Sequence, residues 1–164
     1  MTRFSRRALG ALAATVLMLT GGVVAAAPAS TAHVAVPVLT NIRTGLHTGF
    51  DRVVLDWSGA AAPRVRVTHV GDLYADGSGE LVWLTGEFFV QVVASPAYAH
   101  RADGSVSYAN PQKFRTRALR NVMAVAVVSD FEGYVTVGLG TRYRSWVRTS
   151  ALTSPARLVV DVGH

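Results

Sequence analysis

An all-β fold, a sandwich or a barrel of about eight or nine strands, is what this sequence predicts. Three observations carry that expectation. Short runs rich in Val and aromatic residues recur along the chain, separated by Gly, Pro and Asp. Several of these runs alternate apolar and polar residues, the period of a strand with one buried face. One six-residue pattern, Arg-apolar-Val-apolar-Asp-apolar, occurs twice, as Arg52-Val53-Val54-Leu55-Asp56-Trp57 and as Arg157-Leu158-Val159-Val160-Asp161-Val162. Val53, Leu55 and Trp57 then form one buried row and Leu158, Val160 and Val162 another, with the charges on the opposite face. Antiparallel pairing in register sets Arg52 opposite Asp161, Val54 opposite Val159 and Asp56 opposite Arg157, giving two cross-strand ion pairs. The competing expectation is two half-buried strands with separately solvated charges, because an exposed pair contributes only about 0.2–1 kcal/mol. On either view the first and last hairpins are related units.

In chain order, the first element is a leader. Arg3, Arg6 and Arg7 precede an uncharged run from Ala8 to Ala27, followed by the small residues Ala29, Ser30, Thr31 and Ala32. This is the pattern of an export signal over residues 1–32. Ser30-Thr31-Ala32 fits small-x-small cleavage and leaves His33 first; Ala25-Ala26-Ala27 also fits but places Pro28 after the cut. The run is about as long as a membrane span, so an uncleaved anchor is the alternative, and the one way a membrane enters the reading. Ser5-Arg6-Arg7-Ala8-Leu9 resembles a twin-arginine signal, which leaves the export route open. Residues 33–38, with Pro37, read as a flexible entry segment, and residues 39–164 as the single folded domain.

Composition narrows the function. The chain has no cysteine, which excludes a disulfide framework, a thiol nucleophile and a Cys-ligated metal. All 10 acidic residues and 13 of the 16 basic ones lie beyond position 32. That mild excess is not the signature of a nucleic-acid binder. Lys113 is the one lysine; the arginine bias reflects either coding composition or bidentate anion contacts.

The expected strands are Val38–Arg43, Arg52–Trp57, Arg64–Val70, Leu81–Thr85, Phe88–Ala94, Val122–Ser129, Tyr134–Leu139, Trp146–Ser150 and Arg157–Val162. In Arg64–Val70 the alternation is disturbed at Thr68-His69, which marks an edge or a bulge. Met123-Ala124-Val125-Ala126-Val127-Val128 is apolar on both faces, so a central strand competes with a short buried helix, and strand is the reading taken. Residues 71–80 carry Asp72, Asp76, Gly77, Ser78, Gly79 and Glu80. Acid, Gly and Ser at this density can bind calcium through oxygens, but the usual interleaved acids are missing, and a hairpin turn at Asp76-Gly77 accounts for the stretch. Pro96–Pro111 is the longest irregular stretch and holds Tyr98, His100, Arg101, Asp103, Tyr108 and Asn110; it is either a binding loop or a surface excursion.

Catalytic patterns are sparse. His33, His47, His69, His100 and His164 have no metal-ligand spacing, and no cofactor motif occurs. His47 and Asp51 flank a turn, which could set imidazole beside carboxylate. No nucleophile elbow is present. Asp130 with Glu132 is the nearest carboxylate pair for glycoside hydrolysis, yet Phe131 and Gly133 indicate a strand end or turn. Gly138-Leu139-Gly140 has no following helix and reads as a bend where backbone approaches a neighbour.

The stretch Asn41 to Asp56, with Asp130-Phe131-Glu132-Gly133, Gly138-Leu139-Gly140 and the closing Ser154-Pro155-Ala156-Arg157-Leu158-Val159-Val160-Asp161-Val162, resembles the AMIN-like domain of actinobacterial exported proteins over about Leu39 to His164. That group is similar to the AMIN domain beside cell-wall amidases, a β-sandwich of two similar sheets that binds peptidoglycan. The resemblance implies, of the two all-β architectures, a β-sandwich of two antiparallel sheets, and a non-catalytic envelope module whose partner is peptidoglycan or an anionic wall polymer. With no amidase domain expected after His164, an exported protein partner is the alternative, docking on an apolar patch around Tyr143 and Trp146; Arg142, Arg144 and Arg148 beside those aromatics favour an anionic polymer instead. A small secreted carbohydrate hydrolase is the third. Chemistry selects the first hairpin as the ligand-binding patch: Arg43, His47, Phe50, Asp51 and Arg52 combine donors, an acceptor and an aromatic ring suited to carboxylates and hydroxyls. In the structural alternative Phe50 plugs the sandwich end, Asp51 caps the turn and Arg52 pairs across strands.

Overall fold

The computed structural model describes residues 35–164; the expected export signal, its cleavage site and the start of the entry segment lie outside the described residues. Pro37 and Val38 are tied to the domain: Pro37 O accepts the Tyr98 N–H, and Val38 exchanges hydrogen bonds with Ser58.

Nine strands follow: β1 (Leu39–His47), β2 (Phe50–Trp57), β3 (Arg64–Val70), β4 (Phe88–Ser95), β5 (Lys113–Arg115), β6 (Val122–Phe131), β7 (Tyr134–Thr141), β8 (Val147–Thr153) and β9 (Ala156–Gly163). They form a four-stranded antiparallel sheet, β1-β2-β9-β8, and a five-stranded one, β3-β4-β7-β6-β5. The described residues contain no helix. One core joins the inner faces. Val53, Leu55, Trp57, Leu158, Val160 and Val162 from the first sheet cluster with Val90, Val92, Val125, Val135, Val137 and Leu139 from the second. Each fully buried Leu or Val contributes about 1.5–3 kcal/mol of transfer free energy, the main compensation for a chain without disulfides.

The two copies of the repeated pattern are neighbours in the first sheet, in the expected register: Arg52 opposite Asp161, Val54 opposite Val159 and Asp56 opposite Arg157. Only one of the two expected ion pairs forms. Arg52 holds Asp161 bidentately, at 2.7 and 2.8 Å. Asp56 is instead taken by Arg43 of β1, at 2.7 and 2.6 Å, while Arg157 donates to the carbonyl of Pro155. β2 has two flanking strands, and Arg43, opposite Val54, stands one diagonal step from Asp56, within reach of a long side chain.

The disturbed alternation in β3 belongs to an edge strand, paired without interruption to β4. β6 is apolar on both faces because both are covered. Its inner face meets the main core, and Ala126 and Val128 on the outer face pack under Leu73, with Val82, Leu84 and Phe89 alongside. That cover explains a correction. Residues 81–85 are not a strand; only Leu81 forms a bridge, to Tyr74, and Val82 N donates to Leu73 O. Val82 and Leu84 alternate because they lie over the sheet, not within it.

The approach expected at Gly138-Leu139-Gly140 is the same contact seen from below. A Cβ at Gly138 would overlap the Leu73 side chain, and one at Gly140 the Thr85 carbonyl. β5 was not among the expected strands; three residues give no readable period.

Candidate functional site

The outer face of the four-stranded sheet is a lattice of side chains fixed by register. At its end the row runs His47, Phe50, Gly163, with Trp146 beside Gly163 through the Gly163 N–H to Trp146 O bond. The next row is Gly45, Arg52, Asp161, Arg148. The third is Arg43, Val54, Val159, Ser150. Alternation puts all of these on the face away from the core.

The first row is aromatic. The His47 imidazole stacks on the Phe50 ring at 4.8 Å with an interplanar angle of 4°. Phe50 meets the Trp146 indole at 6.3 Å. Gly163 makes this possible, because a Cβ there would overlap the indole and the Ser145 hydroxyl. Two guanidiniums lie against the rings, Arg52 at 5.2 Å from the Phe50 centroid and Arg148 at 4.7 Å from that of Trp146, within cation–π range. Arg52 is neutralised by Asp161. Arg148, though opposite Asp161 in register, makes no ion pair among the described residues and remains the free cation of the row. Trp146 is 43% exposed.

Beneath this platform sits a buried polar hub. Asp51 is fully buried. Its carboxylate accepts the backbone N–H groups of Arg120, Asn121 and Val122 at 3.1, 2.6 and 2.8 Å, a nest of donors suited to an anion. The His164 imidazole approaches it at 3.7 Å. Asn121 is also fully buried. Its Nδ2 donates to Gly163 O at 2.7 Å, and its Oδ1 accepts the N–H groups of Arg142 and Tyr143 at 3.1 Å each. These bonds fasten the β5–β6 and β7–β8 connections to the platform strands.

Of the residues singled out in the first hairpin, His47, Phe50 and Arg52 come together at the surface. Arg43 lies on the same face one row beyond Gly45, held by Asp56, whose hydrogen bond keeps the Arg43 pKa above its ordinary value; the bond to Asp161 does the same for Arg52. Asp51 faces inward, its oxygens occupied by backbone. Its imidazole neighbour is His164, not His47. The first-hairpin patch and the Trp146–Arg148 patch, separate in sequence, are one surface. The sequence signal that links them is the repeat itself, whose pairing brings the β1–β2 and β8–β9 hairpins side by side.

The carboxylates of Asp130 and Glu132 do not converge. Glu132 lies in the two-residue β6–β7 turn with a φ of 49° and borders a cavity with Arg66, Asp76, Phe131 and Tyr134. Asp130 lines a different cavity of about 470 Å³ with His100, Tyr108, Asn110, Gln112 and Ser129. There its Oδ2 accepts the Ala99 N–H at 2.9 Å and contacts His100 Nδ1 at 2.5 Å. Burial, with the Asp130 charge second, raises the Tyr108 phenol pKa. The long 96–111 stretch is anchored: Asn110 bonds both N and O of Ile42, at 2.7 and 2.8 Å, and Ser107 donates to Leu39 O at 2.6 Å. In the 71–80 stretch Asp76 accepts the Thr136 hydroxyl and backbone bonds between Ala75 and both Gly79 and Glu80 close the turn. No group of three His, Asp or Glu suited to a metal ion occurs among the described residues.

A family model of the AMIN-like domain matches residues 37–164, a span that takes in all nine strands, the paired Arg-Asp repeats and the hub. The chain belongs to the AMIN-like domain family. As an AMIN-like domain it is related to the cell-wall-associated, non-catalytic modules of amidases. No curated protein and no solved structure matches the chain.

Proposed function

We propose that this AMIN-like domain is an exported, non-catalytic module that holds its ligand, a wall glycan, on the outer face of the four-stranded sheet. The carrying observation is the aromatic row His47–Phe50–Trp146 with Arg52 and Arg148 against its rings. Rigid aromatic faces offer contact area to the C–H faces of sugar rings at little entropic cost. Guanidiniums beside them provide donors for hydroxyls and for the carboxylates of peptidoglycan stems. Arg43 extends the polar part of the surface, and Asp51 frames it from below. The leader over residues 1–32 supplies export, and residues 39–164 the binding domain.

The test is sedimentation of the protein, produced through its own leader, with insoluble peptidoglycan across a salt series. Pelleting that persists at moderate salt and falls at least tenfold in Phe50→Ala/Trp146→Ala supports the reading. Pelleting that is absent or insensitive to this double substitution overturns it and favours an exported protein partner.

A further inference from the structure

The connections fastened by the Asp51–Asn121 hub carry an unusual charge. Segments 113–120 and 142–148 contain Lys113, Arg115, Arg117, Arg120, Arg142, Arg144 and Arg148 and no acidic residue. Arg117, Arg120, Arg142 and Arg144 are all exposed, and none has a carboxylate within ion-pair distance among the described residues. Glu87, an exposed acid whose N–H bonds the carbonyl of Thr141 next to Arg142, makes no ion pair among the described residues.

Two of these cations, Arg120 and Arg142, are held near one another. Arg120 N binds Asp51, Arg142 N binds Asn121, and Arg142 Nε donates to Arg120 O at 3.2 Å. Arg120 also lines a cleft with Leu46, His47, Thr48 and Gly49, the turn that carries the aromatic platform. Uncompensated guanidiniums on a fixed frame repel one another, a cost that a ligand bearing closely spaced oxyanions removes. Arginine suits such groups because its planar fork binds phosphate and carboxylate oxygens in pairs.

We infer that this end of the sandwich is a polyanion site, adjacent to the glycan platform, for a linear polymer with phosphodiester or carboxylate groups repeated along its backbone. The inference deepens the wall-association reading and rests on it: the platform grips sugar rings, and the basic end selects polymers that carry negative charge.

The full chain is titrated with three probes: synthetic poly(glycerol phosphate), poly-glutamate and a neutral N-acetylglucosamine oligomer. Two charge-matched variants are compared, Arg120→Gln/Arg144→Gln at the basic end and Arg64→Gln/Arg66→Gln on edge strand β3, after thermal unfolding shows both folded. The expected result is binding to one of the anionic polymers, weakened about tenfold or more at fixed salt by R120Q/R144Q and much less by R64Q/R66Q, with a shallower salt dependence. The polymer that binds identifies the oxyanion. Equal losses in the two variants mean that net charge alone acts, and overturn the inference, as does binding to neither anionic probe. The neutral oligomer separates the two ideas, since its binding depends on Phe50 and Trp146 and is unchanged in R120Q/R144Q.

Discussion

The carboxylate of Asp51 and the peptide of Asn121 form the joint on which the aromatic and basic end of this domain is built. Asp51 Oδ2 accepts the Asn121 N–H at 2.6 Å, and the Asn121 side chain then binds strand β9 and the start of the β7–β8 connection. One residue from the first hairpin thus positions two connections more than 60 residues later in sequence.

Replacing Asp51 by Asn keeps the shape but removes the charge and turns one acceptor into a donor facing backbone N–H groups. Buried charge-assisted bonds of this kind are worth about 1.5–3 kcal/mol each, and a buried donor left without an acceptor costs about 1–3 kcal/mol. Urea unfolding of Asp51→Asn is expected to show a loss of about 3 kcal/mol. A change below about 0.5 kcal/mol would mean that the nest does not stabilise the fold.

Gly163→Ala places a methyl where the Trp146 indole lies. The expected outcome is a displaced indole, seen as a changed tryptophan emission spectrum, with glycan binding reduced as in Trp146→Ala. Unchanged emission and binding would show that the platform does not depend on this close approach.

The exchange of ion partners at Asp56 is measurable by double-mutant cycles to Ala. Coupling of Arg43 with Asp56 is expected at about 0.5 kcal/mol and of Arg52 with Asp161 at about 1 kcal/mol, both falling with salt. Arg157 with Asp56, opposite one another but unpaired, is expected near zero. A larger Arg157 coupling would restore the simple cross-strand pairing.

Tyr108 gives a pH prediction. Burial raises its pKa above the unfolded value of about 10. The folded state therefore retains the proton longer than the unfolded chain. Its contribution is fully present below about pH 10 and is lost as pH rises through the folded value. Tyr108→Phe should flatten the decline in unfolding free energy measured between about pH 9 and 11; an identical decline in the variant would assign it to other groups.

Most of the fold was legible in the sequence because period-two patterning records which face of a strand is buried. Val53, Leu55, Trp57 and Leu158, Val160, Val162 declared their faces, and the repeated pattern offered, as one of two expectations, the pairing that the structure shows. Leu81–Thr85 misled for the same reason, since Val82 and Leu84 alternate to cover a sheet as other residues alternate to build one. β5 was silent because three residues carry no period.

What the sequence determined by itself was therefore local and periodic: the all-β class, the buried faces and the repeat that offered Arg52 opposite Asp161 as one of two arrangements. Tertiary structure alone decided which charge meets which, sending Asp56 to Arg43 and Asp51 inward to the nest at Arg120, Asn121 and Val122. It also decided that Trp146 and Arg148 complete the surface begun by His47, Phe50 and Arg52. The physical reason is that strand register is written in a short stretch, whereas a long flexible side chain chooses among every partner that packing of the whole sandwich brings within reach.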